Sequence, residues 1–169
     1  MKETLHYRRI TESDLPIWEE LACNEFLEKD FCSMQYLLER WETITAFVLL
    51  TDNDEWIGCC FINKAPHVFN PEGIHFLEAC TFPKFRGMGY GKYLVKLCFD
   101  NSVGFDKSAC IDPKNDTSIG LLTKFGFSKT GKHKHWRLYM CDKNYYPEEF
   151  INLNLIEKIP ARNRDRELG

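Results

Sequence analysis

Phe82-Pro83-Lys84-Phe85-Arg86-Gly87-Met88-Gly89-Tyr90-Gly91-Lys92 is the stretch on which the reading of this chain turns. The apolar run Ile74 to Phe82 leads into it and reads as a strand. From about Gly89 to Val103 the chain reads as a helix, with Tyr93, Leu94, Leu97 and Cys98 on one face. The stretch is therefore a strand-to-helix turn. A helix N-terminus presents unpaired N–H groups and a partial positive charge. Phosphates bind there when the backbone can come close, and Gly87, Gly89 and Gly91 carry no side chain to block that approach. Arg86 adds a fixed positive charge. The pattern is neither a Walker A loop, which needs Gly-Lys-Ser/Thr, nor a Rossmann turn, which belongs to a different βαβ unit. Taken alone, such a turn is also an ordinary tight connection.

Outward from the turn, the elements fall into a consistent order. Leu5 to Ile10 reads as a first strand, and Thr11-Glu12-Ser13-Asp14 supplies N-cap chemistry for a helix from about Asp14 to Phe26. A second helix is expected over Phe31 to Trp41, with Met34, Leu37, Leu38 and Trp41 at helical spacing. Thr43 to Leu50 and Trp56 to Ile62 are strands joined by the turn signal Asp52-Asn53-Asp54. Beyond the glycine-rich turn and its helix come a strand at Lys107 to Ile111 and a helix at Asn115 to Phe125. Two closing strands follow at Phe127 to Thr130 and His135 to Cys141. The expected order is β-α-α-β-β-β-α-β-α-β-β, and its strand-helix-strand segment makes the sheet mixed. Residues 1–141 are expected to form one domain and 142–169 an extension, partly helical near Pro147 and irregular from Pro160.

At this point the motifs resemble one family. Arg86-Gly87-Met88-Gly89-Tyr90-Gly91 matches the Arg/Gln-x-x-Gly-x-Gly/Ala signature of the GNAT superfamily of N-acetyltransferases, with Pro83 where that family often has a proline. Asn115-x-x-Ser118, then Leu121 and Phe125-Gly126-Phe127, resembles the family's next motif, and the element order is also the family's. The resemblance spans about residues 3 to 141. It implies an α/β (α+β) fold: a mixed, mostly antiparallel sheet, splayed like a V between the fourth and fifth strands, with helices on both faces. It implies acetyl-CoA as cofactor, with the pyrophosphate on Arg86, Gly87, Met88, Gly89, Tyr90, Gly91 and Lys92. The pantetheine arm would then lie beside Cys80, Thr81 and Phe82, with Asn115 reaching it from the next helix. Asn115 reads equally as a helix N-cap. The implied reaction is acetyl transfer from the thioester to a primary amine of a small molecule or protein.

The catalytic groups match less well. The family commonly protonates the leaving thiolate with a Tyr placed seven residues after the Asn, and that position is Leu122, which cannot donate a proton. Ser118, one turn earlier on the same helix face, is the candidate substitute, or else a small packing residue. Glu78, a carboxylate inside an apolar strand, is the candidate base, because partial burial raises a carboxyl pKa. Its alternative is a solvent-facing strand residue. Asp112 is a weaker candidate, since Asp112-Pro113 also reads as a turn. The departure at Leu122 keeps a rival open: a GNAT-fold protein with weak or no turnover and a structural or partner-binding role, as in a phage or bacterial accessory protein.

Bulk properties narrow the remaining classes. The 169 residues suit one domain, and the 44% hydrophobic content suits a packed core. A formal net charge of -3 gives no general attraction to nucleic acid. The basic run Lys132-His133-Lys134-His135-Trp136-Arg137 reads as a solvated strand end rather than a nucleic-acid surface. No apolar run approaches the ~20 residues that span a bilayer, so no membrane partner is expected. The eight cysteines show no C-x-x-C spacing and no accompanying His pair, so no metal site is expected. They read as reduced core residues of a cytoplasmic protein. A homodimer is among the assembly states open to the chain.

Overall fold

Strands β2 (Ile44–Leu50) and β3 (Trp56–Asn63) carry near-continuous apolar runs because both of their faces are covered. Ile44, Ala46, Val48 and Leu50 point into one core, and Phe47 and Leu49 into another. The computed structural model describes residues 4–22 and 34–158. In chain order the remaining elements are β1 (Thr4–Arg9), α1 (Leu15–Ala22), α2 (Met34–Glu39), β4 (Ile74–Thr81), α3 (Gly91–Asp100), β5 (Lys107–Ile111), α4 (Asp116–Lys124), β6 (Ser128–His133), β7 (Trp136–Cys141) and β8 (Asn154–Glu157). The eight strands form one sheet in the order β6-β7-β5-β4-β3-β2-β1-β8. Most neighbours are antiparallel, while β4–β5 and β1–β8 are parallel.

Helices cover both faces. α3, α4 and Phe150 close one core with Phe47, Leu49, Phe76, Phe99 and Phe127. α1 and α2 close the other through Leu15, Trp18 and Leu37, which pack with Val48, Cys59, Phe61, Cys80 and Phe82. Trp18 and Phe61 lie with ring centroids 4.7 Å apart. The expected fold class and the V between the fourth and fifth strands are therefore present.

Several boundaries differ from the sequence expectation for local reasons. The first helix starts at Leu15 because Glu12–Asp14 form a 3-10 turn closed by a capping box between Thr11 and Asp14. The helix expected from Gly89 starts at Gly91, because Gly89 has φ +84° and lies outside helical geometry. It ends at Asp100 rather than Val103, where the Asn101 side chain donates to the Leu97 carbonyl (2.7 Å) and the Ser102 hydroxyl to the Cys98 carbonyl (2.5 Å). The parts of the first two helices expected at 23–26 and 31–33 lie outside the described residues, as do Cys23, Cys32 and the tail from 159. After Cys141 the chain stays on the sheet. Pro147 opens a 3-10 turn, Glu148–Asn152, whose Phe150 is fully buried, and β8 then pairs with β1. That strand had no signal in the sequence reading.

Candidate active site

The site is built where β4 and β5 part. Their ladder holds three pairs, Ile74–Lys107, His75–Ser108 and Phe76–Ala109, and then stops, although β4 continues to Thr81 and β5 to Ile111. At the same level the β3–β4 ladder shifts register, pairing Ile62 with Phe76 but Phe61 with Glu78. Leu77 is the extra residue of this β-bulge. Cross-strand partners share a face. Simple alternation from Phe76 would turn Glu78 toward the α3 side, whereas the bulge pairs it with Phe61, on the α1/α2 side. Glu78 is half-buried there.

On the α3 side the turn after β4 is made of exposed backbone. Pro83–Phe85 form a 3-10 turn, and Gly87 and Gly89 follow with φ of +76° and +84°. These are left-handed conformations that L side chains rarely adopt, and a Cβ at either position would meet nothing within 4 Å. Both glycines are therefore there for backbone shape and leave open space above the amides. Gly91 serves a different purpose: a Cβ there would come within 3.2 Å of the Leu121 side chain, so its absence lets α3 and α4 approach. The Tyr90 side chain makes no capping hydrogen bond to the N-terminus of α3. Met88 is 61% exposed, and the Tyr90 ring meets Phe85 edge-on at 6.1 Å. Arg86 braces the turn, its Nε donating to the Thr81 carbonyl at 3.0 Å. Lys92 leans toward Glu149 (3.9 Å) in the segment before β8.

The side chains of Cys80 and Phe82 are buried beneath α1, with Phe82 against Trp18 at 6.3 Å, and Thr81 is half-buried opposite Gly58. Only the main chain of Cys80 and Phe82 is therefore available to a ligand between the strands. Asn115 is the N-cap of α4, its Oδ1 accepting the Ser118 N–H at 3.1 Å. Ser118 is half-buried one turn before Leu122. Leu122, only 9% exposed, belongs to the α3-side core. A packing role thus occupies the position where the family places a proton donor. The Asp112 carboxylate accepts the Lys114 N–H at 2.8 Å, as expected of a turn residue.

The fold also assembles a group that sequence spacing concealed. His75 and Ser108, cross-strand partners, share the α1/α2 side with Cys110, and the 64–73 loop brings His67 over them. The His67, His75 and Cys110 donor atoms lie within 4.8 Å of one another. Burial pushes His75 down to about 3, with His67 adding to the effect, and burial also lowers His67 and raises the Cys110 thiol. The loop's separation from β5 in sequence hid the cluster; the only available signal was a His at 67 and a His at 75 flanking a turn. Cys59, Cys60, Cys80, Cys98, Cys110 and Cys141 are all free thiols, five of them buried. The basic run 132–137 makes the exposed β6–β7 hairpin end, with Lys134 at φ 55°.

Known proteins share this architecture. A spermidine N-acetyltransferase variant from Vibrio cholerae superposes with a TM-score of 0.64 at 13% identity, covering 88% of this chain and 97% of that one. The same Vibrio cholerae enzyme in complex with CoA and spermine gives 0.60 at 16% identity, covering 81% and 93%. An N-acetyltransferase from Thermoplasma acidophilum in complex with coenzyme A gives 0.61 at 12% identity, covering 83% and 99%. No curated protein sequence is detectably similar to the chain. No described helix is long and apolar enough to cross a membrane. Residues 15–127, from α1 to the end of α4 and just beyond, match the profile of the acetyltransferase (GNAT) family. With the glycine-rich turn, the parted strands and the α4 cap in place, the chain belongs to the GNAT family of acetyltransferases, enzymes that take their acetyl group from acetyl-CoA.

Proposed function

We propose that this protein transfers the acetyl group of acetyl-CoA to a primary amine, with the cofactor on the α3 side of β4 and the amine on the α1/α2 side. The observation that carries this reading is the end of the β4–β5 ladder at Phe76–Ala109, from which β4 runs on unpaired by β5 to the glycine-rich turn. Past that pair, the β4 edge has lost its partner strand, and an extended pantetheine arm has the shape and the amide groups to take its place. The arm would run along the main chain of Cys80, Thr81 and Phe82. The pyrophosphate would rest on the amides from Gly87 to Gly91, where the macrodipole of α3 favours an anion. Arg86, Met88 and Lys92 border it, and the Asn115 side chain at the head of α4 closes the far side.

In this arrangement Glu78 takes the proton from the incoming ammonium, directly or through a water, because the bulge turns it to the amine's side. The neutral amine attacks the thioester carbon, the attacking nitrogen gives up its second proton to solvent water, the C–S bond breaks, and the thiolate of CoA departs. Leu122 cannot protonate it. Ser118, one turn earlier on the same helix face, offers a hydroxyl, and a CoA thiolate is stable enough to leave with that modest help. A purely structural role, the rival raised by Leu122, is not favoured: the acetyltransferase profile covers the whole segment from α1 through α4.

The acceptor is a small molecule or a protein amine. The Vibrio cholerae protein is a spermidine N-acetyltransferase, which makes polyamines the first acceptors to assay. We place the protein in the cytoplasm, where acetyl-CoA is available and free thiols persist. The test is release of free CoA thiol from acetyl-CoA in the presence of polyamines, other primary amines and lysine peptides. Amine-dependent release is expected. Release no faster than acetyl-CoA hydrolysis across the whole panel would overturn the proposal.

A further inference from the structure

We infer that His67, His75 and Cys110 form a binding site for one transition-metal ion of the zinc type. The three donors come from three separate elements, the 64–73 loop, β4 and β5, and their ligand atoms lie within 4.8 Å of one another. Two imidazoles and a thiolate are a donor set suited to a borderline-soft divalent ion, and three protein ligands leave a fourth position open in tetrahedral geometry. His75 pairs with Ser108 within the short β4–β5 ladder, and Cys110 follows one residue past its last pair, Phe76–Ala109, on the same face.

What separates this cluster from chance proximity is the support behind it. His75 Nδ1 is hydrogen-bonded to Ser108 Oγ at 2.8 Å. Ser108 Oγ in turn accepts from Asn70 Nδ2 at 3.2 Å, and the same Asn70 nitrogen donates to the Asp106 carbonyl at 2.9 Å. A buried chain of this kind fixes the ring of His75 and leaves Nε2 for a ligand, as outer partners do at metal sites. Cys110 is held by the β5–β7 ladder opposite Leu138.

His67 is the adjustable member. Its ring stacks on His75 at 4.1 Å with planes 2° apart, so the lone pairs lie side by side rather than converging. It is carried by a loop, and its Nδ1 accepts only a long bond, 3.3 Å, from the Phe69 N–H. A turn of this ring brings a nitrogen to an ion already held by His75 and Cys110. Binding releases the Cys110 thiol proton to solvent and forms the metal–sulfur bond, with no change of oxidation state.

The experiment uses the full chain, stripped of metal and kept reduced with a non-thiol reductant, titrated with Co2+ as the probe. Expected is one equivalent of tightly bound Co2+ with tetrahedral d–d absorption and a thiolate-to-cobalt charge-transfer band, both lost on adding Zn2+. Cys110→Ser removes the charge-transfer band while circular dichroism and melting stay those of a folded protein. Ser108→Ala, which frees the ring of His75 while Asn70 keeps its bond to the Asp106 carbonyl, weakens Co2+ binding by roughly 10–100-fold. His67→Gln, a loop change that leaves the core intact, weakens it at least as much. A wild-type protein with no stoichiometric cobalt band, or a band unchanged in Cys110→Ser, overturns the assignment.

Discussion

On the α3 side of β4 the groups left open are main-chain amides, whereas on the α1/α2 side they are side chains. The turn at 86–91 works through backbone shape: two glycines at positive φ, open space above them and a helix with no side-chain cap at Tyr90. The opposite side presents Glu78, which reaches its face by way of a bulge, and the His67, His75 and Cys110 group brought in by a loop. In the proposed function the backbone device takes what all reactions of a family share, the CoA phosphates, and needs glycine at fixed spacing. A side-chain device recognises what differs, the acceptor, and leaves no fixed spacing in the sequence.

The strongest way to break this comparison is Gly89→Glu. A side chain at φ +84° costs about 1–2 kcal/mol of backbone strain and sets a carboxylate where the pyrophosphate would rest. Acetyl-CoA binding measured by calorimetry should vanish in a variant that remains folded, and unchanged affinity would remove the turn from the account. Glu78→Gln acts on the other side alone. Turnover is expected to drop about 10²–10⁴-fold, the usual worth of a positioned base, while acetyl-CoA affinity stays at the wild-type value. A matching loss of affinity would mean that the two sides are not separate.

A smaller, pH-dependent effect sharpens the side-chain half. His75 titrates near its ordinary 6.5 when unfolded but at about 3 when folded, because burial disfavours the imidazolium. Between those values the unfolded chain binds the extra proton, so stability falls as pH falls from about 6.5 toward about 3. This group contributes at most about 1.4 kcal/mol per pH unit. In metal-free protein, urea melts across that window should lose this part of the slope in His75→Gln. An unaltered slope would show that His75 is already charged in the fold. The smallest effect is at the α4 cap: Asn115→Ala removes the bond to the Ser118 N–H and should cost about 1 kcal/mol of stability. A loss confined to acetyl-CoA affinity, with stability intact, would instead make Asn115 a ligand contact and not a cap.

These residues also show why the sequence is readable in one half and opaque in the other. Gly87, Gly89 and Asn115 stand in local motifs, where the residue type states its conformation, so the turn, the cap and the order of elements through β7 follow from neighbours in the chain. Glu78 stood out as a carboxylate in an apolar run, but its face depends on a register shift between Phe61 and Ile62 that no local pattern announces. His67 and Cys110 meet only because β4 and β5 pair in parallel through the α3 crossover. β8 is similar: four residues with a weak apolar pattern become a strand because β1 offers an open edge. Leu122 was legible as a departure from the family pattern, yet its burial in the α3-side core, which makes it a packing residue, needed the three-dimensional contacts.

A crystal structure of the protein with acetyl-CoA tests the central claim most directly. The account predicts the pyrophosphate on the amides of Gly87 to Gly91 and the pantetheine arm between β4 and β5 beyond the Phe76–Ala109 pair, with the thioester opening toward Glu78. Density for the cofactor elsewhere, or a β4–β5 gap that stays closed to it while acetyl-CoA binds, would contradict it.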